Sequence, residues 1–465
     1  MRGRRMKSGM RVAGVVGAAF LAGTVLGPVV MPPMVSAVAQ ETGNRAETYR
    51  LLNLFGDIFE RIRAEYVEPV NDRDAIENAI NGMLQGLDPH SSYMNARSFR
   101  DMQVQTRGEF GGLGIEVSQE GGYVKVISPI DDTPAARAGV KPGDLITHLN
   151  GKSVQGLTLQ EAVEQMRGER GSSIKLTIRR PGADTPIELS LTRDVIRPQV
   201  ARFRLEGNDV AYVRLASFNE QTESALRSAI STMRKQAGGT LKGIILDLRN
   251  NPGGLLDQAV QVSDDFLEQG EIVSTRARRP DDSQRWNAKP GDITSGERVV
   301  VLVNGGSASA SEIVAGALQD HRRAVVLGTK SFGKGSVQTV IPIPGNGAIR
   351  LTTARYYTPS GRSIQGLGIT PDIEVLAQRQ DDKAPLRDRE ADLRGALSND
   401  NGTHEVAPLP PLKLPPGVAD KVSRLPPEGA PAFDPTKPET DFQLQQAASL
   451  LRAWAAAEPQ RRAAR

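Results

Sequence analysis

The sequence of 465 residues contains no cysteine, only four histidines and few aromatics, at 4% of the chain. Without cysteine there can be no disulfide, thiol nucleophile, thiolate zinc site or iron–sulfur cluster. The histidines, His90, His148, His321 and His404, stand far apart, so neither a metal site nor a cofactor is expected. Lysine and arginine exceed the acids by 58 to 54, with a sequence pI near 9.2. A nucleic-acid partner would require that slight excess to gather in a patch. It gathers instead at the start of the chain, where Arg2, Arg4, Arg5, Lys7 and Arg11 carry no neighbouring acid. An uncharged run from Val12 to Leu26 follows, and Ala37-Val38-Ala39 then supplies small residues with signal-peptidase spacing. A positive segment followed by an apolar one is an export signal, expected to be cleaved before Gln40, with an uncleaved anchor as the alternative. Removing those five basic residues takes the net charge from +4 to −1. The implied location is the bacterial periplasm or the outer face of the inner membrane, with no nucleic acid and membrane contact only through this segment if it is uncleaved.

After the signal, Leu51, Leu52, Phe55, Ile58, Phe59, Ile62 and Tyr66 recur at helical spacing, and Asp72 opens a second such stretch through Leu84. Two short helices cannot bury a core alone and need a partner surface. Next, Gly112-Leu113-Gly114-Ile115 runs from a glycine-rich turn into alternating strand residues, and Ala138-Gly139-Val140-Lys141-Pro142-Gly143-Asp144 follows at domain scale. A capping box at Thr158 and Glu161 starts a helix between strands. These two signatures resemble a PDZ domain, whose glycine-rich loop binds a carboxylate and whose strand edge takes an extended peptide end. Beyond Pro198, strands and helices alternate, which predicts an α/β domain with a mostly parallel sheet. Ten of the 31 residues from Pro408 to Pro438 are proline, which predicts a stiff linker without a core, before a helix capped by Thr440.

The strand Val299 to Val303 ends in Asn304-Gly305-Gly306-Ser307-Ala308-Ser309-Ala310-Ser311-Glu312, at the start of a helix. A serine there lies among unpaired N–H groups able to stabilise an oxyanion, although serine at a helix start is usually only a cap. Spacing leaves Ser307, Ser309 and Ser311 as open choices. His321 lies twelve residues beyond Ser309 on the same helix, about 18 Å away at 1.5 Å per residue, too far to act as its base. Lysine remains, and Lys334 sits between two glycines in a stretch free of carboxylates from Lys330 to Ile349. Gly328 to Lys334 also begins a P-loop pattern, but Gly335 replaces the magnesium-binding hydroxyl and a strand-like sequence follows. Nucleotide binding is therefore set aside.

The serine segment, Gly333-Lys334-Gly335-Ser336-Val337-Gln338, the PDZ-like region and Asp247-Leu248-Arg249-Asn250-Asn251-Pro252-Gly253-Gly254 together resemble the carboxy-terminal processing, or tail-specific, proteases. The resemblance spans about residues 46 to 375. It implies Ser309 as nucleophile, Lys334 as general base and Gln338 as the residue that orients the lysine. It further implies an oxyanion hole from the Ala310 N–H with that of Gly253 or Gly254, peptide binding by Gly112, Leu113, Gly114 and Ile115, and Arg167 as a link between PDZ domain and site. Glu312 is left as a helix-start acid. The expected organisation is a signal or anchor over 1–39, a helical region with a dimerisation role over 40–100, and a PDZ-like domain over 101–195. An α/β protease core over 196–375, a partly disordered proline-rich linker over 376–439 and a C-terminal helix over 440–465 complete it. The expected substrates are proteins with apolar C-terminal tails, and a second copy of the chain and an envelope adaptor are the partners to test. The competing reading is a catalytically inactive peptide-binding scaffold.

Overall fold

The computed structural model describes residues 34–458, apart from 131, 158, 198, 380–388, 401–408, 410–411, 413 and 432–436. Most of the export signal, Thr158 and much of the proline-rich stretch thus lie outside the described residues. The chain divides into two compact units between Ala75 and Ile76. In the first, a helix spans Met34–Glu65, and its apolar residues Leu51, Leu52, Phe55, Ile58 and Ile62 are all exposed. That agrees with the spacing argument: the stripe exists, and nothing within its own unit covers it. No helix among the described residues is long and apolar enough to cross a membrane.

The second unit contains two sheet-based cores and a connecting sheet. The first core comprises antiparallel strands over Ile115–Glu120, Tyr123–Pro129, Leu145–Leu149, Ser173–Arg179 and Ile187–Thr192, with the helix Leu159–Met166. Alternation along Ser173–Arg179 buries Ile174, Leu176 and Ile178 beside Val126 and Ile146, while the intervening residues face outward.

The second core is a sheet ordered Ala201–Glu206, Val210–Leu215, Gly243–Asp247, Val299–Val303, Ala324–Gly328 and Ile373–Glu374. Its first pair is antiparallel and every other pair parallel. All residues of the three middle strands are buried, because helices cover both faces, and this is why the sequence there runs continuously apolar. Thr222–Gln236, Leu256–Asp264 and Ala310–Asp320 pack on one face. The helix Phe442–Ala457 packs on the other.

Two expectations are corrected at this second face. Val418 is buried, and Leu412, Leu414 and Val422 lean on the same cluster, so this part of the proline-rich stretch joins the core rather than lacking one. The cap of the last helix is Asp441, which accepts from the Leu444 N–H at 3.1 Å, whereas the Thr440 hydroxyl donates to the Lys437 carbonyl. Asp441 is the better cap because its carboxylate also meets Arg249, as described below.

A further sheet joins Gly347–Tyr357 to Ser336–Ile343 on one side and to Ser92–Met94 and Glu271–Ala277 on the other. The pairing of Ser92–Met94 fastens the turn after the second helix to this sheet, although its partner lies more than 250 residues along the chain.

Candidate active site

Four buried valines and one buried leucine carry Val299–Val303 to the sheet's carboxyl edge, where the chain turns into the helix Ala310–Asp320. The three serines of the turn separate by burial. Ser307 is fully buried, its hydroxyl donating to the Leu248 carbonyl at 2.8 Å, and Ser311 is fully buried, donating to the Asn251 carbonyl at 2.9 Å. Both hold the turn to the neighbouring loop. Ser309 is the one that opens on a cavity of about 630 Å³. Its backbone has φ 54° and ψ −113°, an uncommon conformation for a residue with a Cβ and of the kind retained at functional sites.

The same cavity is lined by Lys334, Gln338, Gly253, Gly254 and Arg167. Lys334 follows the strand Ala324–Gly328 and precedes Ser336–Ile343, so the residue after the P-loop-like pattern enters a strand and no helix. Burial lowers the pKa of the Lys334 ammonium; Glu390 acts against that, Arg350 adds to it, and Asp88 and Glu312 oppose it. Gln338 donates to the Ser336 hydroxyl at 3.0 Å and the Thr352 hydroxyl at 3.2 Å, which fixes its amide within the cavity wall.

Opposite the serine, the loop after Gly243–Asp247 brings Gly253 so close that a Cβ there would lie 2.9 Å from the Ala310 nitrogen and 2.9 Å from the Ser309 Cβ. The Gly253 N–H already donates to Asn251 Oδ1 at 2.9 Å. Of the two glycines that the sequence leaves open as oxyanion donors, Gly253 thus has its N–H already engaged within its own loop. The loop is anchored from behind: Arg249, nearly buried, donates to Asp247 and to Asp441 at 2.6–2.9 Å, tying it to the cap of the last helix.

Glu312 begins the helix, as expected, but its larger role was not legible. It is fully buried, and its Oε2 accepts the N–H groups of Ser309 at 2.8 Å and Lys334 at 2.9 Å. Its Oε1 accepts from the Ser331 hydroxyl at 2.5 Å and the Gly333 N–H at 2.7 Å. One carboxylate thus holds the backbones of both the serine and the lysine turns. Burial pushes its pKa up to about 7, against the lowering effect of those four donors.

The PDZ-side residues line a second groove, which shares Phe110 and Arg167 with the serine cavity. Gly112, Leu113, Gly114, Ile115 and Arg167 line a groove of about 180 Å³ with Val163 and Met166 of the adjoining helix. Arg167 faces both this groove and the serine cavity, its guanidinium 4.8 Å from the Phe110 ring centre.

A peptide-end groove beside a cavity that contains a strained serine defines a serine peptidase with an appended PDZ domain. Comparison with known proteins agrees: residues 209–375 match peptidase family S41, 125–180 the PDZ domain, and 30–98 the N-terminal domain of the activating protease CtpB. The chain is 53% identical over 437 residues to the carboxy-terminal-processing protease of Bartonella bacilliformis, covering 93% of this chain and 95% of that one. It is 35% identical to carboxy-terminal processing protease CtpA of Bacillus subtilis, over 74% of this chain and 72% of that one. A solved photosystem II D1 C-terminal processing protease aligns at 32% identity over 67% of this chain and 84% of that one, with a TM-score of 0.41. The chain belongs to the carboxy-terminal processing proteases.

Proposed function

We propose that this chain is an exported serine endopeptidase that takes the C-terminal tail of a protein in its PDZ groove and cuts peptide bonds with Ser309 and Lys334. The observation that carries this reading is that Ser309, in its strained turn, and Lys334, whose ammonium burial disfavours, line one cavity. A neutral lysine amine can accept the Ser309 proton as Oγ attacks the scissile carbonyl. The oxyanion then lies toward the N–H groups of Ala310 and Gly254. Collapse of the tetrahedral adduct breaks the C–N bond, with the lysine returning its proton to the leaving amine. Water then attacks the acyl-serine, again giving a proton to Lys334; the C–Oγ bond breaks, Lys334 returns that proton to Ser309 Oγ, and the acid product leaves.

Gln338 supports this as the residue that sets the wall beside the lysine, through its bonds to Ser336 and Thr352. Arg167, shared by groove and cavity, is the residue through which a bound tail reports to the site. The basic and apolar start of the chain supports export.

The test compares purified wild type with Ser309→Ala and Lys334→Ala on an unstructured protein ending in apolar residues. Each variant is expected to cleave at least about 10³-fold more slowly. Cleavage at the wild-type rate by Ser309→Ala would leave the chain a peptide-binding scaffold.

A further inference from the structure

The lysine turn is also held by residues that no part of the foregoing mechanism uses. Glu390 lies in a short helical turn, Glu390–Asp392, and is 1% exposed. A buried carboxylate needs partners, and this one has two. Its Oε2 is 2.8 Å from His90 Nε2, and its Oε1 accepts from Gln365 Nε2 at 2.8 Å. Burial by itself would raise the Glu390 pKa, but the bonds from His90 and Gln365, with the charges of His90 and Lys334, hold it below the ordinary glutamate value.

From Glu390 the contacts run directly to the lysine turn. The Glu390 N–H donates to the Phe332 carbonyl at 3.2 Å. Gln365, itself fully buried, accepts the Gly335 N–H at 3.0 Å through its other side-chain atom. Gly335 has no room for anything larger, since a Cβ would lie 2.2 Å from the Gln365 nitrogen. The residues on both sides of Lys334 are thus held by one chain of bonds that begins at His90.

The turn that carries His90 reaches the lysine by a second route. Asp88 accepts the N–H groups of His90 and Ser91, each at 2.9 Å, and the Ser91 hydroxyl at 2.7 Å. Ser91 Oγ in turn accepts the Thr352 N–H at 3.1 Å, and Thr352 Oγ1 accepts from Gln338. Two arms from Asp88–Ser91 therefore reach the lysine turn, one at Phe332 and Gly335 on either side of Lys334 and the other at Gln338.

We propose that Glu390, clamped by His90 and Gln365, is a positioning residue for Lys334 that also sets how readily its amine is protonated. This rests on Lys334 being the general base. A carboxylate near an ammonium favours the charged form. Among the charged groups acting on Lys334, Glu390 comes first, followed by Arg350, Asp88 and Glu312. The buried amine is thereby held between desolvation, which would free it at low pH, and a carboxylate that keeps it charged.

The sign of the consequence is fixed. The base works only when neutral, so cleavage rises with pH as the ammonium loses its proton, and Glu390 keeps that rise at higher pH. In Glu390→Gln the acid limb of kcat/KM against pH should move down by about one unit or more, making the variant faster than wild type below the limb. Glu390→Asp, which keeps the charge, should leave the limb near its wild-type place while lowering kcat through looser positioning. A Glu390→Gln limb at the wild-type pH would overturn the inference. If that variant does not fold, His90→Ala carries the test, because it leaves the carboxylate with Gln365 but without the partner that shares its charge. Its limb should move to higher pH, and an unmoved limb would overturn the inference equally. Lys334→Ala is measured alongside. If it cleaves at the wild-type rate, the general-base reading fails; if it is inactive while neither limb moves, only the role of Glu390 fails.

Discussion

At the scale of single residues, the site depends on backbone that comes too close for side chains. Gly253 has φ 99°, and a Cβ there would press within 2.8 Å of the Ala308 carbonyl and 2.9 Å of both Ser309 Cβ and Ala310 N. Backbone atoms cannot swing aside as a long side chain can, so Gly253→Ala must push the loop away from the serine. Kcat/KM should fall by about 10² to 10³, the cost of losing one oxyanion donor. KM should change little, since the groove for the tail lies elsewhere; steady-state kinetics on a tailed substrate would check the split. The sequence alone made these glycines visible as a loop, and a motif named Ser309 and Lys334. What stayed hidden was which neighbours had their hydrogen bonds already used. Burial of Ser307 and Ser311 and the reach of Glu312 to the lysine turn depend on contacts across 22 to 60 residues of chain, and the Gly253 N–H is taken by Asn251 only two residues away, a turn geometry that no residue pattern marks. His90 and Glu390 meet across 300 residues, and no local pattern marks either.

At the scale of elements, strands and helices of the central core were legible because their apolar runs are continuous or helically spaced. The helices Thr222–Gln236 and Ala310–Asp320 belong to the alternation of strands and helices that the sequence predicts beyond Pro198. The hairpin Glu271–Ala277 with Arg285–Asn287 was not, since its second strand is only three residues long and mostly exposed, too short to show an alternation. Nor was the reason for the last helix. Its cap, Asp441, accepts from Arg249 Nη1 at 2.8 Å and Nη2 at 2.6 Å, beside the fully buried Asp247. That helix therefore braces the loop that ends at Gly253 and Gly254. Asp441→Ala removes a helix cap, worth about 1 kcal/mol, and charge-assisted bonds to a buried guanidinium, worth about 1.5 kcal/mol or more. Asp247 still neutralises Arg249, so the loss should stay near 2–3 kcal/mol rather than unfold the chain. Urea unfolding would measure it, and Asp441→Asn, which keeps the cap acceptor, should recover part of the loss. A stability change without any fall in kcat would show that the helix does not brace the loop.

At the scale of the whole molecule, the unit that ends at Ala75 stands apart in its economy. Its helix exposes Leu51 at 53%, Leu52 at 58%, Phe55 at 50% and Ile58 at 49%, spaced along one side. Surface leucines scattered singly are ordinary, but a contiguous helical stripe of this length is a surface that water disfavours. Two copies of such a stripe can cover each other by a two-fold axis with no further residues required. The core that follows contains its own buried clusters and does not need the stripe in order to fold. A chain beginning at Gln40 should therefore run as a dimer in light scattering at micromolar concentration. A double change of Leu52→Glu and Phe55→Glu should give a monomer with an unchanged melting temperature for the core, because both side chains are solvent-exposed in the single chain. A wild-type monomer at those concentrations would mean that the stripe serves a different partner. Retained dimerisation in the double variant would place the interface elsewhere.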